Sequence, residues 1–248
     1  MCYNQNVMKK MDKALRSHKA ILFLDFEGTM RTQEMIAIGA VLCFLNSDGT
    51  IKRMKDPFKI YVRATTKVGS YVEQLTGITD AILKKEGHSF YDAMVALKKY
   101  CGLYWKKCLF CTFGNNDIRI LNQTIAHNLG SPIEICHQIH VNYFDFGAFI
   151  SEYIRDENGN TLSLVHLCEL FKVELAGQAH DPSVDAVNLA NLYNAFLINK
   201  EIVVEEYQKV LLKNKKFPEP IQSILERIVK GDSINQEELK KEIRRALK

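Results

Sequence analysis

The chain has 248 residues, 47% hydrophobic and 25% charged, which suits one medium-to-large domain with a true core and an appended piece. The first twenty residues, "MCYNQNVMKKMDKALRSHKA", lack the apolar stretch of a secretory signal, and no apolar run approaches the roughly 20 residues that cross a bilayer. Seven scattered cysteines, an odd number, argue against a disulfide framework; the expectation is a cytoplasmic protein with no membrane partner, whose net charge of +4 permits a polyanionic ligand without requiring one.

After a basic lead-in over residues 1–19, three apolar segments read as strands: "AILFLDF", "EMIAIGAVLCFL" and "FKIYV". The turn "NSDGT" separates the second from the third, and its Asp-Gly pair signals an antiparallel connection. From there helix and strand alternate. "SFYDAMVALKKYC" reads as a helix, "CLFCTF" as a buried strand, residues from about 115 to 128 as a helix and "IEICHQIHV" as a short strand. Helices follow at "YFDFGAFISEYIRD", "LSLVHLCELF" and "PSVDAVNLANLYNAFLINK". Residues 201–248 form a charged helical extension, broken at "FPEP" and "GDS", with Ser233 and Gln236 spaced as a capping box for the last helix.

Three places along the core region, residues 20–200, offer chemistry. Asp25 and Glu27 stand two apart at the end of the first strand, so both carboxylates project to one side and repel each other unless a cation sits there. Asp117 follows the strand "CLFCTF", at the carboxyl end where open α/β sheets collect ligands, although taken alone it is more simply read as a cap of the next helix. In "QAHDPSVDAVNLANLY" Asp181 reads as an N-cap and Pro182 as the first helical residue. His180 then lies in the loop and Asp185 in the first turn, where the two can point into one site. Cys108 and Cys111, three apart on an apolar strand, face opposite sides of the sheet, which spoils both chelation and a disulfide. "CHQIH" lacks partners for zinc and reads as structural.

Four acids and a histidine in the order Asp-x-Glu, Asp, His-x4-Asp resemble the DEDDh family of 3′→5′ exonucleases over roughly residues 20–198. "FLDFEGT" is similar to the family's first motif, "FGNNDIRIL" to its second and "HDPSVDA" to its third, and "YVEQLTGIT" to the segment that borders the terminal nucleotides. The chain departs from many relatives at Gly28, where they carry a second Thr, and at Ala37, where they carry an acid or amide.

The resemblance implies an α/β ribonuclease-H-like fold: a mixed five-stranded sheet, antiparallel meander then βαβα, flanked by helices. It implies hydrolysis assisted by two divalent ions, Mg²⁺ or Mn²⁺, for which hard carboxylate oxygens are suitable ligands. Asp25 would bridge the ions, Glu27 and Asp185 would hold the one that activates water, Asp117 would hold the second through water, and His180 would be the general base. Gly28, Thr29 and Met30 would line one side of the terminal nucleotide and Leu75, Thr76, Gly77 and Ile78 the other. The implied partners are single-stranded 3′ ends, RNA ahead of DNA, cut to nucleoside 5′-monophosphates. A polymerase-proofreading exonuclease and a non-catalytic nucleic-acid-binding module are the alternatives.

Overall fold

The computed structural model describes Met11 and residues 18–177, 180–214 and 216–247. Most of the basic lead-in therefore lies outside the described residues, as do Gln178 and Ala179 of the third motif. The chain divides into two compact units, one of residues 1–149 and 163–198 and the other of residues 150–162 and 199–248.

The first unit is built on a sheet of six strands. In chain order these are β1 (Ala20–Gly28), β2 (Met35–Leu45), β3 (Ile51–Met54), β4 (Phe58–Tyr61), β5 (Leu109–Thr112) and β6 (Tyr143–Asp145). The lateral order is β3-β2-β1-β5-β6, with β4 also pairing β2. β1, β2, β3 and β4 pair antiparallel, whereas β5 runs parallel to β1 and β6 parallel to β5. The α/β fold with a mixed, helix-flanked sheet agrees with expectation, but there are six strands rather than five. The difference lies at one edge: β3 and β4 pair with successive halves of β2, so one sheet edge is split in two. The split falls at Lys55-Asp56-Pro57, where proline has no N–H to donate to a ladder.

β1 and β2 are nearly continuous apolar runs because both faces are covered. On one face Leu22, Leu24 and Phe26 of β1 and Ile38, Ala40 and Leu42 of β2 form the main core. They pack with helices α3 (Phe90–Cys101), α4 (Asn116–His127) and α5 (Ile133–Val141). On the other face lies α8 (Pro182–Ile198), whose Tyr193 ring stands 5.3 Å from that of Phe23. Two short helices, α1 (Ser70–Thr76) and α2 (Asp80–Glu86), close a smaller cluster around Ile36, Val72 and Ile78.

Three expectations change. "IEICHQIHV" is helix α5, not a strand; Ile135, Cys136 and Ile139 are buried at helical spacing. The parallel strand comes just after it as β6, from residues expected to open a helix, and the helix α6 (Phe146–Ile150) is correspondingly short. The last helix is capped not by Ser233 but by Asn235, whose side chain accepts from the amides of Glu237 and Glu238. As expected, Cys108 and Cys111 are buried on opposite sides of the sheet: Cys108 joins the main core, its sulfur 3.6 Å from that of Cys101, and the hydrogen bond between the two, then burial, push its thiol upward, while burial does the same for Cys111.

The second unit contains the loop around Asp156 and the helices α9 (Lys200–Leu212), α10 (Glu219–Val229) and α11 (Gln236–Ala246). Between these flank elements α7 (Leu164–Leu170) belongs to the first unit. Arg227 of α10 joins Asp232, Glu238 and Glu242, and Arg245 of α11 joins Glu219, so charge pairs hold α10 against α11. Among the described residues no helix is long and apolar enough to cross a membrane.

Candidate active site

Asp25 and Glu27 lie on the α8 face of β1, on the opposite side from Leu24 and Phe26. The β1–β5 pairing ends at Phe23 and Cys111, so the strands part just before the acids. The amide of Phe26, between them, donates instead to Asp117 Oδ1 at 2.7 Å. Asp117 sits in the first turn of α4, two residues beyond the N-cap position at Asn115, and so is not the helix cap. The lone aspartate is thereby fastened to the strand end that carries the other two.

The third motif arrives from the far face. Asp181 caps α8, its Oδ1 accepting from Ser183 N at 3.0 Å and from Ser183 Oγ at 2.7 Å. His180 has φ 65°, left-handed backbone uncommon for a residue with a side chain, and its amide donates to Asp185 Oδ2 at 3.0 Å. The buried Asn188, one helical turn on, accepts from Ala176 N at 2.9 Å, so the loop is tied to α8 on both sides of residues 178 and 179.

Electrostatics record how close the four carboxylates are. Burial, and then the charges of Asp117, Glu27, Asp185 and Asp181, hold the Asp25 carboxyl well above the usual range. Burial and then the charges of Asp185 and Asp117 push Glu27 to about 8, despite the opposing charge of Lys59. Burial raises Asp117 to about 7 against the pull of its backbone hydrogen bonds. Asp185 is raised by burial as well. Such a set suits a divalent cation: hard, anionic oxygens from three elements, with pKa values raised by burial and by one another's charge. Among the described residues no three metal-ligating side chains are drawn in tightly enough to hold an ion as they stand. Their chemistry, hard anionic oxygens that repel one another, nevertheless fits a divalent ion.

The residues expected to line the terminal nucleotide divide. Met30 is 56% exposed and Leu75 37%, a pair of apolar side chains open to solvent. Thr29 and Ile78 are buried and act as braces: the Thr29 hydroxyl accepts from Glu34 N, and Ile78 packs in the smaller core. Thr76 Oγ1 accepts from the amide of Ile78, and Gly77 takes the left-handed φ of 72° that closes α1. Gly28 lies at a bulge where a Cβ would meet the Ile120 side chain at 2.9 Å.

The sequence reading missed Glu34. Its buried carboxylate accepts from Thr32, Thr65 and Thr66 hydroxyls and the Thr65 amide. Burial opposes its charge, but those hydrogen bonds prevail and hold it below the usual range. Above it a groove of about 720 Å³ is lined by Met30, Arg31, Thr32, Thr66 and Lys67. A single buried acid near three threonines leaves no periodic signal in the sequence.

The sequence profile of a family described as exonuclease (RNase_T) matches residues 22–193. No curated protein sequence matches the chain. Among solved structures, the fold is similar to the nuclease domain of 3'hExo, a DEDDh family member, bound to rAMP (TM-score 0.57, 19% identity, 73% of this chain and 93% of that one). It is also similar to the 3'-exonuclease in a structure of 3'-end specific recognition of a histone mRNA stem-loop (TM-score 0.57, 20% identity, 78% and 70%). A third is the zinc-bound E. coli ExoI–ssDNA complex (TM-score 0.56, 16% identity, 84% and 45%).

Proposed function

Because the chain belongs to the exonuclease family, as an enzyme of the DEDDh 3′→5′ type, we propose that it trims single-stranded nucleic acid from the 3′ end, RNA ahead of DNA, releasing nucleoside 5′-monophosphates. The observation that carries this reading is the meeting of Asp25, Glu27, Asp117 and Asp185, from three separate elements, in one buried and mutually repelling group. The family generally uses divalent metal ions, and here Mg²⁺ or Mn²⁺ would be held by these four carboxylates, two ions per site. Bound there, the ions would supply a nucleophilic water and neutralise charge on the attacking and leaving oxygens.

The protein's own groups do the rest. Glu27 and Asp117 must give up protons to act as ligands, so binding strengthens as pH rises through about 7 to 8. His180, held in its left-handed turn by Asp185, presents an imidazole to take the proton of the attacking water. Met30 and Leu75 offer apolar surfaces to any base, which favours cleavage without strong sequence preference. RNA is placed ahead of DNA on the strength of two relatives, one bound to rAMP and one recognising a histone mRNA stem-loop.

One gel series tests the whole reading: matched 3′- and 5′-labelled RNA and DNA oligonucleotides incubated with Mg²⁺, Mn²⁺ or EDTA. The expected result is stepwise shortening from the 3′ end, faster for RNA, and abolished by EDTA. Products that shorten from the 5′ end, or persist in EDTA, refute it.

A further inference from the structure

Antiparallel pairing sets Asp25 of β1 opposite Gly39 of β2, and Gly39 opposite Lys59 of β4. The three residues form one row across the sheet, with their side-chain directions on the α8 face. Gly39, in the middle, leaves that face bare. A Cβ there would lie 1.9 Å from the carbonyl carbon and oxygen of Pro182, so the first residue of α8 rests directly on the row between acid and amine. From the far end the Lys59 ammonium reaches Asp181 Oδ2 at 2.7 Å. Asp181 thus divides its oxygens, Oδ1 capping α8 and Oδ2 meeting Lys59. The same ammonium lies 5.2 Å from the centre of the Tyr61 ring on its own strand, which directs its stem along the sheet.

We propose that Lys59 is a positioning residue of the active site: through Asp181 it pins the start of α8 to the sheet edge, holding His180 and Asp185 against Asp25 and Glu27. His180 immediately precedes the pinned residue and Asp185 follows it by one helical turn, so a slip of Asp181 displaces both. An ion pair whose side chains are 29% and 31% exposed contributes little to global stability. The pin therefore acts on alignment, and small misplacements of reacting groups cost rate steeply. This inference rests on the nuclease reading of the same site.

The test compares Lys59→Met, Lys59→Arg, Asp181→Asn and the Lys59→Met/Asp181→Asn pair with wild type on a short 3′-labelled oligonucleotide in Mg²⁺. Amide hydrogen exchange is followed separately in the metal-free proteins. Lys59→Met is expected to lower kcat about tenfold with KM changed by less than about twofold, since geometry and not binding is disturbed. Lys59→Arg should restore most of the loss, and the double variant should be no slower than Lys59→Met, because both changes cut the same ion pair. The amides of His180 and Ser183 should exchange about tenfold faster in Lys59→Met, with the melting temperature nearly unchanged. An unchanged kcat, or a raised KM with kcat intact, would overturn the proposal; the latter would make Lys59 a substrate-binding cation. Unchanged exchange at both amides would overturn it too. Should wild type fail to cleave any oligonucleotide, the nuclease reading falls, and the exchange data alone still decide whether the pin exists.

Discussion

Glu27 shows what crowding carboxylates does when no cation is present. Its folded-state pKa is raised from 4.5 to about 8, so the folded state holds this proton more tightly than the unfolded chain. The stabilisation this gives is complete below about 4.5 and is lost as pH rises through about 8. Glu27→Gln removes the titrating group, so in EDTA the variant should outlast wild type at pH 8 by roughly 2–4 kcal/mol, with no gain at pH 4. Melting curves at the two pH values check this; equal differences at both would mean Glu27 is not strained. With Mg²⁺ or Mn²⁺ the order should reverse, and the variant should be inactive, because ligands of one site act as a unit. For His180 the informative change is to glycine, which tolerates φ 65° without strain. His180→Gly should cut turnover by roughly 10²–10⁴-fold while keeping its fold, and added imidazole should recover part of the rate. A variant cleaving at full speed at pH 7 would remove His180 from the chemistry. These residues were legible because each stands at the end of an element whose periodicity is plain. The shell around Glu34 was not, since Thr65 lies 31 residues away and only the folded loops bring the two together.

Among the elements, the packing of α8 on β2 is the least forgiving. Gly39→Ala would drive a methyl into the Pro182 backbone, which cannot rotate aside as a side chain could, so helix or strand must shift. A loss of about 2–4 kcal/mol and most of the activity is expected, read from urea unfolding and from oligonucleotide cleavage. Wild-type stability and rate in this variant would show that α8 sits elsewhere. Cys108→Ser/Cys111→Ser, by contrast, buries two hydroxyls in apolar surroundings. It should lose some stability yet keep its metal affinity and per-molecule rate, and stoichiometric zinc lost from the variant would contradict that. Strands β1, β2 and β5 and helices α3, α4 and α8 could be read from their patterns. α5 was misread because its nine residues are apolar enough to hide the period: Ile133, Glu134, His137 and Val141 are the exposed positions, a helical spacing that strand alternation does not explain. β3 escaped because only four residues, two of them basic, make up an edge strand.

For the whole molecule, the division into two units matters more than total size. Every site acid and His180 belong to the unit of residues 1–149 and 163–198, which also holds both apolar clusters. The other unit buries little apolar surface in its three long helices: α9 has no buried residue, α10 has Ile224 and α11 has Glu242. Its ion pairs, Arg227 with Asp232 and Glu238 and Arg245 with Glu219, are partly or fully open to water, where salt weakens them. Unfolding should therefore not be two-state: calorimetry is expected to resolve an early transition ahead of the main one, lowered further in about 0.5 M salt, where the Debye length is only a few ångströms. The same pairing bears on nucleic acid. Lys209, Lys240, Arg227 and Arg245 already face carboxylates, and across residues 199–248 nine acids offset the twelve basic residues, so the segment offers phosphates little net positive charge. Deleting residues 199–248 should thus leave the rate on a short oligonucleotide within about threefold of wild type. On longer strands it should leave the slope of log affinity against log salt unchanged, whereas each phosphate that the deleted helices had neutralised would reduce that slope by about 0.7. A folded truncated protein with a shallower slope would make the helical extension part of the grip on the strand, and one unable to cleave even a dinucleotide would make it part of the active site.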